Sequence, residues 1–402
     1  MEAVRRRLLI VTPYAPSTGG RHGGARVVHG LVGELSRRHE VALAHLDRDE
    51  IDPEIAARCA RVESVALPDP GPWGVRARGA AAVLRGRSLK AAASAVPALR
   101  RRVHELALSF DAQVVQVETG ILGDALAGAP QALRIVTFYE PAGALRESLP
   151  LRPRGLPFAH RLDAVAAVRE ERRVLRLADV AVVFTERDRE LLAGGRAGGA
   201  ERVTIPFGWD VPETASDPAG TDPGGLLFVA NFAHPPNVDA ALRLARRILP
   251  AVRATHPGAH LEIVGAAPPP ELRALAGDAI SVTGAVPSVR PHLQRAAVVV
   301  MPIAIGGGMR AKVLEALAAG KAVVASSRAA EGVTALPGED LVVVDGDAQT
   351  AAAICALLDD EDARRRMGAR ARAWAVRELS WSTVADRYDE LYARVQRSKS
   401  RS

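Results

Sequence analysis

Short apolar runs, each too brief for a buried helix, alternate with amphipathic helical stretches in two series along this chain. LLIVTPY, EVALAHL, AQVVQVE, LRIVTFYE and DVAVVFTE make the first series, with GARVVHGLVGELSRRH and RLDAVAAVREERRVLRLA among the helical stretches between them. Parallel strands need a crossover, which a helix supplies, so this alternation predicts a parallel sheet wrapped on both faces. Residues 212–225, PETASDPAGTDPGG, have almost nothing to bury and read as a linker. The alternation then restarts with GLLFVANF, AHLEIVG, ISVTG, AVVVMPI, KAVVASS and EDLVVVDG. Two successive βαβ domains are expected, 1–211 and 226–380, with ligands preferred in the cleft at the carboxyl ends of the strands.

Composition agrees with a globular α/β chain. At 402 residues it exceeds one ordinary core, and with aromatics at 4% the cores must be built from Ala, Val and Leu. No apolar run approaches the roughly 20 residues that span a bilayer. The opening MEAVRRRLLIVTPY has an apolar run of only Leu8 to Val11 before Pro13, which suits a first strand better than a signal peptide. Cys59 and Cys355 lie far apart without CxxC or Cys/His spacing. A reducing, cytoplasmic compartment with no disulfide framework and no metal site is expected.

The net charge of +7 is unevenly placed, because the whole excess of base over acid falls in residues 1–200. Residues 71–104 hold Arg76, Arg78, Arg85, Arg87, Lys90, Arg100, Arg101 and Arg102 and no acid, interleaved with Trp73, Val75, Val83, Leu84 and Leu89. This window reads either as an interfacial surface for an anionic membrane or as a solvated arginine-rich helix. Nucleic acid is not an expected partner, since aromatics are too sparse to stack bases and no recognised module is present.

The most informative stretch is GGGMRAKVLEALAAGK, residues 306–321. It follows the strand AVVVMPI and runs into a helix closed by Gly320. Glycines let backbone approach a phosphate without an intervening Cβ, and the helix start offers N–H groups and a positive dipole end. Arg310 can fork onto phosphate oxygens, Lys312 adds a point charge, and Glu315 can accept from sugar hydroxyls. The parts describe a nucleoside-diphosphate pocket. Spacing alone leaves open a plain turn followed by a solvated helix face.

PIAIGGGMRAKVLEALAAGKAVVASSRAAEGV closely resembles the donor-binding segment of GT-B glycosyltransferases of family 4. LFVANFAHPPNVDAALRLARRILPAVRATHPGAHLEIVG and VTGAVPSVRPHLQRAAVVVMP are similar to that family's C-terminal domain in the same order. LLIVTPYAPSTGGRHGGARVVHGLVGELSRRHEVALAHL resembles its first strand, glycine loop and helix more loosely. The resemblance implies a GT-B fold, two Rossmann-like βαβ domains facing across a cleft, with a C-terminal helix, 381–396, crossing back to the first domain before a disordered tail, 397–402. It implies a retaining transferase that takes a sugar from a nucleotide-sugar donor to a hydroxyl acceptor, without cofactor or metal. A catalytically silent nucleotide-sugar-binding protein of the same fold is the alternative.

Carried over by this resemblance, Glu315 holds the donor ribose, and Gly306, Gly307 and Gly308 form the loop under the diphosphate and sugar. Met309, Leu314 and Asn231 join the donor set, while Gly23 and Gly24 match the N-domain loop that closes on the donor. The family's usual two carboxylates are reduced to one, since Gly307 stands in the place of the first. Asn231 and Asn237 stand where many members carry Arg and Lys, so Arg310 and Lys312 are expected to stabilise the leaving diphosphate. The N-domain histidine is absent, with Tyr139 and Glu140 near its place as catalytic candidates. Glu118 and Glu140 end two strands, and each reads equally as an acceptor-side residue or a helix cap.

Overall fold

The computed structural model describes residues 4–17, 23–47, 50–66, 81–82, 87–88, 97–147, 157–192, 199–306 and 309–399. It divides into two compact units, the first running to Gly208 and completed by Trp381–Ser402, the second formed chiefly by Trp209–Ser380.

The first unit holds seven strands: β1 (Arg7–Thr12), β2 (Glu40–Asp47), β3 (Arg61–Ala66), β4 (Val114–Glu118), β5 (Leu133–Phe138), β6 (Val180–Val183) and β7 (Glu201–Thr204). Their order is β3-β2-β1-β4-β5-β6-β7, and every pairing is parallel. Successive side chains of β1 go to opposite faces, as strand geometry requires. Leu8 and Ile10 pack with Val28, Leu31 and Leu35 of the helix Gly23–Arg38 and with Tyr388, Leu391 and Tyr392 of the helix Trp381–Lys399. Leu9 and Val11 pack on the other side with Leu99, Val103 and Leu106 of the helix Pro97–Ser109 and with Val174 and Leu175 of the helix Pro157–Leu177. Burial on both faces explains why these strands read as unbroken apolar runs. The last helix continues through Lys399, past Gln396, so the first residues of the expected tail are helical.

The second unit carries β8 (Asp222–Val229), β9 (His260–Val264), β10 (Ile280–Gly284), β11 (Ala296–Met301), β12 (Val323–Ala325) and β13 (Val342–Val343). The order is β10-β9-β8-β11-β12-β13, again parallel throughout. In both sheets the strand order reverses once, between β1 and β4 and between β8 and β11. Loops diverge at such a switch point and leave a crevice at the carboxyl ends of the strands.

The stretch 212–225 is not a free linker. β8 already begins at Asp222, and the carbonyls before it are claimed by side chains of the same unit. Arg372 donates to Pro212 O at 2.5 Å and Glu213 O at 3.0 Å, Arg364 donates to Ala219 O at 3.3 Å, and the buried Lys321 ammonium donates to Asp217 O. Backbone acceptors removed from water need partners, and cations on the helix Glu361–Glu378 supply most of them here.

Lys321 gives this strap a pH dependence. Burial lowers its ammonium to about 8 from 10.5, with the Asp217 charge opposing and the Arg364 charge adding to the shift. Between those two values the unfolded chain holds a proton that the folded chain has released, so stability rises with pH. The residue's contribution is full above about 10.5 and is lost as pH falls through about 8. Thermal melts of the wild type and Lys321→Met should therefore diverge, the wild type gaining relative to the variant as pH rises from 8 to 10. Parallel melting profiles across that window would contradict this assignment.

Candidate functional site

In the second unit the groups singled out by sequence gather at the switch-point end of the sheet. β11 ends at Met301, and the loop returns at Arg310 to start the helix Ala311–Ala318. Gly306 has φ +107°, a left-handed conformation that favours glycine, and a Cβ there would lie 2.7 Å from Arg310 Nη2. The Arg310 guanidinium thus lies close over the glycine backbone, donating to Ile305 O at 3.4 Å. Gly307 and Gly308 lie outside the described residues. Arg310 O accepts from Val313 N at 2.9 Å, which begins the helix and leaves its first amides at the loop.

Lys312 Nζ donates to Glu315 Oε2 at 2.6 Å, an i,i+3 ion pair with both groups partly exposed. The two residues assigned separately to phosphate and sugar are therefore partners in this structure. Met309 is buried at the edge of the loop. The Leu314 side chain lies wholly inside the core, so its place in the donor set falls to its backbone. Asn231, just beyond β8, accepts from Ala233 N at 3.0 Å through Oδ1, and Asn237 Nδ2 donates to Asn231 O at 2.8 Å. This pair shapes the turn into the helix Pro235–Arg243. It brings no charge, leaving Arg310 and Lys312 as the cations of this loop.

Neighbouring loops are tied together. Phe232 N donates to Ala266 O at 2.9 Å, and Gly265 N donates to Gly284 O at 3.0 Å. The Ser326 hydroxyl, beyond β12, reaches Ile303 O. The rim of the crevice is thus joined through the loops after β8, β9 and β10 on one side and β11 and β12 on the other.

The first unit has its own polar cluster where β4 and β5 end. Glu118 is fully buried, and its carboxylate accepts from Gln116 Nε2 at 2.7 Å, Thr137 Oγ1 at 3.1 Å and Tyr139 Oη at 3.1 Å. Burial raises its pKa and the three hydrogen bonds oppose the rise. The helix-cap reading of Glu118 is therefore set aside. Burial, reinforced by the nearby Glu118 charge, raises the Tyr139 phenol well above 10. Tyr139 accordingly serves as a donor to Glu118, not as a base near neutrality. Tyr392, on the last helix, donates to Gln116 Oε1 at 2.7 Å. Glu140 is exposed beside this cluster. Gly23 and Gly24 open the first helix, and a Cβ on Gly24 would stand 3.0 Å from the Tyr14 ring and 3.3 Å from that of Tyr139.

Most of the basic window, including Trp73, Val75, Arg76, Arg78, Val83, Leu84, Arg85, Leu89 and Lys90, lies outside the described residues. Within it, Arg87 donates to Glu170 at 2.6 Å and to Asp124 at 2.8 Å, and Arg102 pairs with Glu63 and Glu105. Those two charges are held by the protein's own carboxylates. Among the described residues, no helix is long and apolar enough to cross a membrane.

Residues 223–360, about a third of the chain, match the family described as glycosyl transferases group 1, and the fold is of the GT-B type. Two curated relatives, from the CDC 1551 and H37Rv strains of Mycobacterium tuberculosis, are each named GDP-mannose-dependent alpha-(1-6)-phosphatidylinositol monomannoside mannosyltransferase. Each is 30% identical over 231 residues, 52% of this chain, and the match spans only 60% of the relative's length. Among solved structures, sucrose-phosphate synthase from Thermosynechococcus elongatus superposes with a TM-score of 0.72 at 17% identity, covering 98% of this chain and 100% of that one. HepE of Anabaena, solved with UDP and glucose, gives 0.66 at 12% identity, with 97% and 100% covered.

Proposed function

We propose that this chain is a retaining, metal-independent glycosyltransferase that moves a sugar from a nucleotide-diphosphate donor to a hydroxyl acceptor. The observation that carries the reading is the junction after β11. Gly306, Arg310, Lys312 and Glu315 converge there, inside the segment matched by the family. The donor's ribose hydroxyls take the place of Lys312 at Glu315, and the released ammonium turns to the diphosphate. Arg310 and the first helical amides complete a fixed positive environment for the charge that develops on the leaving group. With protein cations in that role, no metal bridge is needed. The departing diphosphate accepts the proton of the acceptor hydroxyl, so the first unit need not supply a strong base. The raised Tyr139 phenol accords with this.

The test is acceptor-dependent transfer from UDP-, GDP-, ADP- and dTDP-sugars in the presence of a chelator, with the product anomer read by NMR. GDP-mannose is the first donor to try, given the relatives' printed names. A product that keeps the donor's anomeric configuration supports the full reading. An inverted product overturns the retaining mechanism, and activity abolished by the chelator overturns metal independence. Nucleotide binding with no transfer to any acceptor would favour a silent binding protein.

A further inference from the structure

Past Met301 the chain leaves the second sheet. Met301 O accepts from Ser326 N at 3.1 Å, and the ladder between β11 and β12 ends there. Pro302 and Ile303 are buried all the same, so their carbonyls need partners that the sheet no longer supplies. Side chains take over. Arg243 Nη1 donates to Pro302 O at 3.1 Å, the Ser326 hydroxyl donates to Ile303 O, and Arg310 Nη2 donates to Ile305 O at 3.4 Å.

Arg243 closes the helix Pro235–Arg243 and is itself anchored. Its Nε and Nη2 donate to Asp347 Oδ1 at 3.1 Å and 2.8 Å, and Arg247 Nη1 stands 3.5 Å from Asp347 Oδ2. Hydrogen bonds from these guanidiniums, that of Arg243 foremost, hold the Asp347 carboxyl below the usual carboxylate range. Asp347 opens the helix Asp347–Asp359, where a carboxylate also meets the positive end of the helix dipole. A guanidinium suits this place, because its planar fork serves a carbonyl and a carboxylate from separate nitrogens at once.

We propose that Arg243 is a positioning residue for sugar transfer: braced by Asp347, it fixes the Pro302 carbonyl and thereby sets where Gly306 and Arg310 meet the donor's diphosphate. The proposal rests on the transferase reading and adds to it a group that acts through Arg310. Only Ile303, Ala304 and Ile305 separate Pro302 from Gly306, and the Arg310 guanidinium lies close over the Gly306 backbone. A shift at Pro302 therefore reaches Arg310 across a short tether. A misplacement of about 1 Å at a reacting centre costs up to about 10² in rate.

The test compares wild type with Arg243→Met, which keeps an apolar stem and no donor, with Arg243→Lys, and with Arg246→Met at a neighbouring exposed arginine. Turnover of Arg243→Met should fall about 10- to 100-fold while the donor KM stays within about threefold. Arg243→Lys should recover part of the loss, and Arg246→Met should match the wild type. Added to Arg310→Ala, Arg243→Met should cost no more than about twofold further, because both changes remove the same contact. Amide hydrogen exchange gives a readout that needs no substrate. Val313 N and Leu314 N, bonded to Arg310 O at 2.9 Å and 3.3 Å, should exchange faster in Arg243→Met, while the amides of β9 keep their wild-type rates and show an intact fold.

Turnover of Arg243→Met within about threefold of wild type would overturn the proposal, as would an undiminished effect in the Arg310→Ala background. Unchanged exchange at Val313 and Leu314 would overturn it whatever the activity. Faster exchange at those two amides in a chain that transfers sugar from no donor would support the hold of Arg243 on the loop and overturn the transferase reading.

Discussion

Arg310→Ala is expected to lower the turnover of sugar transfer by about 10² to 10³, while the donor KM moves much less. The guanidinium lies within reach of the Gly306 backbone, where a donor's diphosphate would rest. A cation matters most where charge grows between ground and transition state, so its removal acts on kcat. Arg310→Lys should recover only part of the loss, because an ammonium cannot reproduce the two-pronged contact of a guanidinium with phosphate. Single-turnover and steady-state rates of the three proteins, measured with one donor, check the expectation. A turnover for Arg310→Ala within about threefold of wild type would remove Arg310 from the chemistry.

Gly265→Ala should be among the most destabilising single substitutions in the second unit. Gly265 has φ +147°, and a Cβ there would lie 1.7 Å from Ala230 O. The colliding atom is backbone at the end of β8, held by the Ala230 N to Val264 O bond at 3.0 Å, so no side-chain rotation can relieve the contact. Backbone strain and overpacking each cost about 1–3 kcal/mol, giving roughly 3 kcal/mol or more together. That corresponds to a drop of roughly 6–12 °C in the melting temperature of a unit this size. The collision also pushes on the loop carrying Asn231, so nucleotide affinity should fall as well. Gly277→Ala is the control, since its added methyl meets nothing within 4 Å. Equal melting temperatures for the two variants would contradict the packing argument.

What the sequence disclosed and what it hid follow from where each signal resides. Runs such as LLIVT and AVVVM are buried on both faces, so their apolar character is continuous and marks each strand. The start of β8 was hidden because Asp-Pro-Gly-Gly carries the composition of a turn, and the edge strand β13 spans only Val342–Val343. The strap before β8 reads as a linker because its partners, Lys321, Arg364 and Arg372, lie about a hundred residues or more away along the chain.

The candidate loop after β11 was legible because glycine, arginine, lysine and glutamate fall within one short segment. The Lys312–Glu315 pair was open to the same reading, since three residues separate them on a helix. The cluster around Glu118 was not, because it depends on Gln116, Thr137, Tyr139 and, through Gln116, on Tyr392 near the end of the chain. Thr119, at φ +93°, left no trace at all. Positive φ is inferred from glycine or asparagine, and a threonine in that conformation can be found only in the fold.

The central claim is that the loop and helix 306–315 bind a nucleoside diphosphate. Calorimetric titration of the purified chain with UDP, GDP, ADP and dTDP in metal-free buffer, repeated on Glu315→Ala, tests it most directly. The account predicts that one nucleotide binds in preference to the others. The variant should lose about 10- to 100-fold in affinity for it, the worth of a charge-assisted hydrogen bond to ribose. No heat from any nucleotide at millimolar concentration, or an affinity unchanged by Glu315→Ala, would contradict the account and leave this segment a turn followed by a helix.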